Sequence, residues 1–295
     1  MAVCRSFLFA PGNHPRRVEK CLTLDADCII LDLEDAVAVA EKESTRAKIV
    51  AALQLPRRSS GYVRVNAYDT PFCYGDLQAM VCAGVDGIVL PKVESAAQLL
   101  SVDWLIGQLE QQCGLSLGTI DLIPIIETGK GLAAVEEIAS ANTRVKRLAF
   151  GAGDFTLDMG MRWTVDEVEL DYARSRIVLA SRAADLEAPV DTVFIHIGQL
   201  DGLRASTERA HVMGFQGKMC IHPEQVGPVN AVFSPTEQAL QQAQVYVKAF
   251  EEAEAAGLAS IQVDGYFIDY PIVAQARRTI AIGAAIAART AAPAV

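Results

Sequence analysis

Eight short apolar runs rich in β-branched residues alternate along the chain with longer segments of helical period. The runs are 6–10, 28–33, 62–66, 87–91, 122–126, 147–150, 192–197 and 218–221. Each is apolar at nearly every position, the pattern of a strand covered on both faces. The helical segments include 96–112, 132–139 and 166–186, the last with Arg174, Arg176 and Arg182 on its polar positions. Eight βα units predict an α/β protein of (β/α)8 TIM-barrel type. An open doubly wound sheet is the alternative, but it normally has fewer strands and a glycine-rich first turn. Beyond Phe233, Ser234-Pro235-Thr236-Glu237 is a helix start, and 237–256 is an amphipathic helix ended by Gly257. Residues 261–266 alternate like a short hairpin around Asp264-Gly265, and 271–288 read as a final helix. The expected division is a barrel over 1–233 and a C-terminal helical extension over 234–295, serving as lid and subunit contact.

Charge narrows the partners. The chain has 36 acidic and 26 basic residues and a formal charge of -10, so its surface as a whole repels phosphate backbones and anionic membranes. No nucleic-acid partner and no membrane partner is expected, and an anionic substrate has to meet a local cation cluster or a metal. Seven scattered cysteines without a C-x-x-C pair suggest neither a disulfide framework nor a thiolate zinc site. The apolar runs 7–10 and 280–288 are too short for a signal-peptide core and a membrane span respectively. The expected location is the cytoplasm.

In a barrel, chemistry gathers at the C-terminal ends of strands, and here those ends are polar. Run two ends in Asp32-Leu33-Glu34-Asp35, run three carries Arg64 and Asn66, and run four leads to Lys92 and Glu94. Run five ends in Glu127-Thr128, run six in Gly153-Asp154, and run eight in His222-Pro223. Glu127 and Asp154, at the mouths of adjacent strands, offer two hard oxygen ligands of the kind Mg2+ takes, leaving positions for water and substrate. Mn2+ is the alternative ion. Both carboxylates also precede helices and would serve equally as N-caps. Four dispersed histidines and no H-E-x-x-H motif argue against zinc. Arg64 interrupts an apolar strand and must meet an anion, either Glu34 or Asp35 or a substrate carboxylate or enolate. Lys92, close to acidic neighbours, is expected to stay protonated rather than form a Schiff base. His222 reads as a barrel-rim histidine. Arg16, Arg17 and Lys20 follow the first strand-to-helix turn and form either a phosphate dock or a solvated basic helix face.

Several segments in this order resemble the HpcH/HpaI aldolase superfamily, specifically its citrate lyase beta-subunit-like CoA-ester lyases. They are Arg5-Ser6-Phe7-Leu8-Phe9-Ala10-Pro11-Gly12, Asp32-Leu33-Glu34-Asp35-Ala36-Val37, Val63-Arg64-Val65-Asn66, Pro91-Lys92-Val93-Glu94, Ile126-Glu127-Thr128, Gly151-Ala152-Gly153-Asp154-Phe155 and Ile221-His222-Pro223. Asp69-Thr70-Pro71-Phe72 and Asp158-Met159-Gly160-Met161 are most similar to malyl-CoA lyases, whereas the short passage from Trp163 to Asp171 is similar to citramalyl-CoA lyases. The resemblance implies Mg2+-dependent making or breaking of a C–C bond in a CoA thioester, by a homotrimer or hexamer with shared active sites. It implies Glu127 and Asp154 as metal ligands, Glu127 also on the substrate side, and Arg64 on the reacting carbonyl groups. Glu34 and Asp35 belong to the implied catalytic set. Phe9, Arg16 and Lys20 match positions that hold the CoA nucleotide, and Asp269 matches an acid/base supplied to a neighbouring subunit. The alternatives are a citrate lyase beta subunit acting on a carrier-protein thioester and a non-catalytic CoA-binding barrel.

Overall fold

The computed structural model describes residues 4–291. These divide into two compact units, residues 4–231 and residues 232–291. In the first, eight parallel strands close into a barrel in sequential order. They are β1 (Ser6–Pro11), β2 (Cys28–Asp32), β3 (Ser60–Arg64), β4 (Gly87–Leu90), β5 (Asp121–Ile126), β6 (Ala149–Phe150), β7 (Val190–Asp191) and β8 (Gly217–Cys220). The surrounding helices are α1 (Pro15–Leu22), α2 (Lys42–Leu53), α3 (Cys73–Met80), α4 (Ala96–Gln112), α5 (Gly129–Ala133), α6 (Val135–Ala139), α7 (Ala152–Asp158), α8 (Asp171–Ala183), α9 (Leu200–Met213) and α10 (Pro223–Val232). The expected (β/α)8 barrel is therefore the fold.

Strand periodicity sorts the side chains. Phe7, Cys28, Ile30, Tyr62, Val89, Ile123, Ile125, Ala149, Val190 and Met219 form one buried cluster and, as alternate residues of their strands, fill the barrel interior. Two residues further along three of these strands the same face carries Asp32, Arg64 and Glu127. The inner wall thus changes from hydrocarbon to charge at the C-terminal rim. At the opposite end the interior is closed by Arg147, which is 2.8 Å from Asp121 and 2.7 Å from Glu187.

Four expectations are corrected. Run 192–197 is not a strand: β7 is the pair Val190–Asp191, and its polar member is buried by ion pairs that sequence alone conceals. Asp191 lies 2.9 Å from Arg174 and 2.5 Å from Lys218, all three fully buried. Arg174 therefore does not occupy a solvated position, unlike the exposed Arg182. The segment 166–186 begins irregularly, with Glu167 left-handed at φ 53° and helix proper only from Asp171. The segment 132–139 contains two short helices joined at Ala134 rather than one.

The second unit contains α11 (Glu237–Ala255), the hairpin β9 (Ser260–Val263) and β10 (Tyr266–Asp269), and α12 (Tyr270–Ala291). Thr236 caps α11 by accepting from the Ala239 N–H at 3.1 Å. Asp264 and Gly265 both have positive φ, 48° and 84°, the turn chemistry expected of a two-residue hairpin. Phe250, Ile268 and Val273 form the core of this unit. Among the described residues no helix is long and apolar enough to cross a membrane.

Candidate active site

The site is built on Arg64. Asp32 and Arg64 are register partners on β2 and β3, and the guanidinium donates two parallel hydrogen bonds to the Asp32 carboxylate, both 2.7 Å. Its remaining arm is 3.0 Å from Glu34, and its plane lies over the Phe9 ring at 4.9 Å. Burial disfavours the charged guanidinium, but Asp32 and Glu34 overcome this and raise its pKa. Burial likewise opposes ionisation of Asp32, and Arg64 outweighs it, so Asp32 falls below the usual carboxylate range. The sequence reading gave Arg64 either Glu34 or Asp35. The structure gives it Asp32 and Glu34, while Asp35 points outward and meets Lys92 at 3.6 Å. The missed signal is the strand period at Asp32, two residues beyond the inward Ile30 on β2; Glu34 and Asp35 lie past the strand end, where no period predicts their direction.

Lys92 closes the cluster. Its Nζ is 2.5 Å from Glu34 and 3.4 Å from Asp154. Burial works to lower its pKa, but the Glu34 carboxylate more than compensates and raises it, so the amine stays charged and unsuited to imine formation. Glu34 itself is raised, burial outweighing its two cations. Glu127 is buried, and one of its oxygens accepts the Lys92 backbone N–H at 2.8 Å. Burial, reinforced by Glu34 and Asp154, lifts its pKa to about 8 against the pull of Arg64.

Neither Glu127 nor Asp154 is spent on helix capping. Thr128 caps α5, accepting from Gly131 N–H at 3.0 Å, and α7 begins at Ala152 with Gly151 before it. Any side chain at Gly151 would overlap the Glu127 carboxylate. A Cβ at Gly153 would meet only Trp163, at 3.8 Å, so the approach to Asp154 is open. Among the described residues no group of three or more His, Cys, Asp or Glu side chains is arranged to hold a metal. Even so, among the described residues Asp32, Glu34, Asp35, Glu127 and Asp154 share only the cations Arg64 and Lys92. A hard divalent ion held by Glu127 and Asp154, completed by water and substrate oxygens, fits that charge deficit.

Beside the cluster is a groove of about 370 Å3 lined by Phe9, Arg17, Lys20, Ile197, Ile221 and His222, among others. Phe9 and Lys20 were expected at a nucleotide site. Arg16 does not line the groove and Arg17 does, because Arg17, Lys20 and Cys21 lie three and four residues apart on one face of α1. A wider hollow of about 770 Å3, lined by Tyr68, Thr70, Tyr74, Leu100 and Trp104 among others, lies between α3 and α4 and extends to the loop that follows β3. Asp269 belongs to the second unit, where its Oδ1 accepts the Ile272 N–H at 3.3 Å at the start of α12.

Comparison with known proteins gives the same picture. Residues 5–223 match the family model described as HpcH/HpaI aldolase/citrate lyase. The chain is 41% identical over 278 residues to citrate lyase subunit beta of Leuconostoc mesenteroides subsp. cremoris, covering 94% of this chain and 92% of that protein. It is 37% identical over 286 residues to a (3S)-malyl-CoA thioesterase of Cereibacter sphaeroides, covering 96% of each. Among solved structures, CitE from Mycobacterium tuberculosis in complex with magnesium, acetoacetate and coenzyme A superposes with a TM-score of 0.76 at 27% identity, covering 96% of this chain and 99% of that one. With its closed eight-stranded barrel and charged rim, the chain belongs to the HpcH/HpaI aldolase/citrate lyase family and is an enzyme of that aldolase type.

Proposed function

We propose that the protein is a Mg2+-dependent carbon–carbon lyase that cleaves, or in reverse forms, a 3-hydroxy-carboxyacyl-CoA thioester such as malyl-CoA or citramalyl-CoA. The products are acetyl-CoA and an α-keto acid, glyoxylate or pyruvate. The observation that carries this reading is the cluster of Arg64, Glu34, Lys92, Glu127 and Asp154 at the barrel rim beside a groove bearing Arg17 and Lys20. The relative solved with magnesium and coenzyme A supports both ligands.

Glu127 and Asp154 would hold a divalent ion, which would supply Lewis acidity toward the substrate hydroxyl. The protein's own groups do the rest. Arg64, fixed by Asp32 and Glu34, presents a permanent charge to the thioester oxygen, where negative charge develops as the C–C bond breaks. Asp269 accepts the hydroxyl proton, supplied from a neighbouring subunit of a homotrimer or hexamer. The released thioester enolate is then protonated to acetyl-CoA. Phe9, Arg17 and Lys20 hold the adenine nucleotide. The cysteines are free, as suits a cytoplasmic enzyme.

A second reading is favoured by the 41% identity to a citrate lyase beta subunit: the thioester is a citryl group on a carrier protein. Product assays with malyl-CoA, citramalyl-CoA and a carrier-bound citryl thioester, each with Mg2+ or EDTA, separate these readings. Cleavage of a free CoA ester that stops in EDTA is the expected result. Full activity in EDTA defeats the metal role, cleavage of the carrier thioester alone supports the second reading, and binding without turnover leaves a CoA-binding barrel.

A further inference from the structure

Lys42, the first residue of α2, is buried. Its Nζ donates three hydrogen bonds, to the backbone carbonyls of Leu33 at 2.9 Å and Glu34 at 2.6 Å and to Asn66 Oδ1 at 2.6 Å. All three acceptors are neutral, and Phe72 presents its ring at 5.8 Å. Burying an ammonium without a carboxylate is costly, so the arrangement needs a reason beyond stability.

The reason lies in where the two carbonyls are. β2 ends at Asp32, and the chain then leaves the barrel wall. Three of its N–H groups are held: Leu33 donates to Arg64 O at 2.9 Å, Glu34 to Asp32 Oδ1 at 3.0 Å, and Ala36 to Asp32 Oδ2 at 3.0 Å. Lys42 takes up the carbonyls of Leu33 and Glu34, fixing the peptide planes on both sides of Glu34. That residue's carboxylate lies between Arg64 at 3.0 Å and Lys92 at 2.5 Å. The ammonium is anchored in turn, because Asn66 donates through Nδ2 to Asp76 Oδ2 at 2.6 Å and Asp76 pairs with Arg46 at 2.8 Å.

We propose that Lys42 is a positioning residue for the reaction: by pinning the backbone on either side of Glu34, its ammonium holds that carboxylate in register with Arg64 and Lys92. The inference rests on the lyase reading above, but one arm of its test does not depend on activity. Lys42→Met and Lys42→Gln are purified and their folding followed by circular dichroism and thermal melting. In the crystal structure of Lys42→Met, Glu34 is expected to lose its contact with Arg64 while the barrel superposes. Retention of both Glu34 ion pairs overturns the proposal whatever the kinetics. On whichever thioester the wild type cleaves, kcat is expected to fall about 10²-fold, as for a misplacement near 1 Å, with KM changed less than about threefold. In a Glu34→Gln background the same substitution is expected to cost less than about threefold, because the group being positioned is already altered. Equal losses in both backgrounds, or failure of both variants to fold, overturn the proposal in favour of a purely structural lysine. A wild type inactive on every thioester overturns the lyase reading and leaves the crystallographic arm to decide Lys42.

Discussion

The backbone N–H of Lys92 donates to Glu127 Oε1 at 2.8 Å from a residue held at φ 51°. This left-handed conformation lets Lys92 serve two ends at once: its N–H turns to β5 while its ammonium reaches Glu34 and Asp154. A non-glycine residue there is strained. Lys92→Gly should therefore be more stable to urea than Lys92→Ala by about 1 kcal/mol, although both lose the ammonium and activity. Equal stability of the two would mean that the backbone relaxes once the side chain is gone.

With Glu127 as a metal ligand, as proposed, metal binding should depend on pH. Its pKa, raised to about 8 by burial and by Glu34 and Asp154, lies above the unfolded value, so the protonated form is favoured in the folded metal-free protein. The associated stability is complete below the unfolded pKa and is lost as pH rises toward about 8, a change on the order of a few kcal/mol. Metal-free protein should melt lower at pH 8 than at pH 6, and Mg2+ should restore more stability at the higher pH. Calorimetry in buffers of different ionisation enthalpy should show proton release on Mg2+ binding that shrinks above pH 8.

Arg64→Met leaves Asp32 and Glu34 buried without their main counter-charge. A loss of about 3–5 kcal/mol is expected from breaking a buried pair in this way, read by denaturant melts at neutral pH. Arg64→Lys should recover part of the stability but little turnover, because one ammonium cannot reproduce the two-pronged bond to Asp32 while reaching Glu34 and a substrate oxygen.

The groove separates Arg17 and Lys20 from Arg16. Arg17→Glu and Lys20→Glu are expected to raise KM for a CoA ester about tenfold or more at low salt, with the difference narrowing as ionic strength rises. Arg16→Glu should have the smaller effect. The reverse order in steady-state kinetics would place the nucleotide phosphates elsewhere on α1.

Asp269 is tested by complementation. Asp269→Ala and Glu127→Ala should each be inactive, and subunit exchange between them should restore part of the activity if each site combines residues of two chains. No recovery in verified mixed oligomers would confine Asp269 to its own subunit.

The closed barrel and the polar strand ends were readable in the sequence because both depend on short-range periodicity. Apolar runs of strand length mark the elements, and residues two apart share a face, which aligns Ile30 with Asp32, Tyr62 with Arg64, and Ile125 with Glu127. The hairpin at Asp264-Gly265 and the helix starting after Thr236 were legible for the same local reason. Pairing was not. That Arg64 bonds Asp32, that Lys92 bridges Glu34 and Asp154, and that Arg174, Asp191 and Lys218 neutralise one another out of water depend on strand register and on helices packed from distant parts of the chain. A charged residue reads as solvated until its partner is known, which is why Arg174 was expected on a polar face and β7 was displaced. Lys42 shows the same limit, since its ammonium acquires a role only where the fold brings Asn66, 24 residues away, against the end of β2. The sequence by itself determined which groups stand at the rim; the tertiary structure decided which of them face one another, because electrostatics between buried groups is set by distance and desolvation rather than by position along the chain.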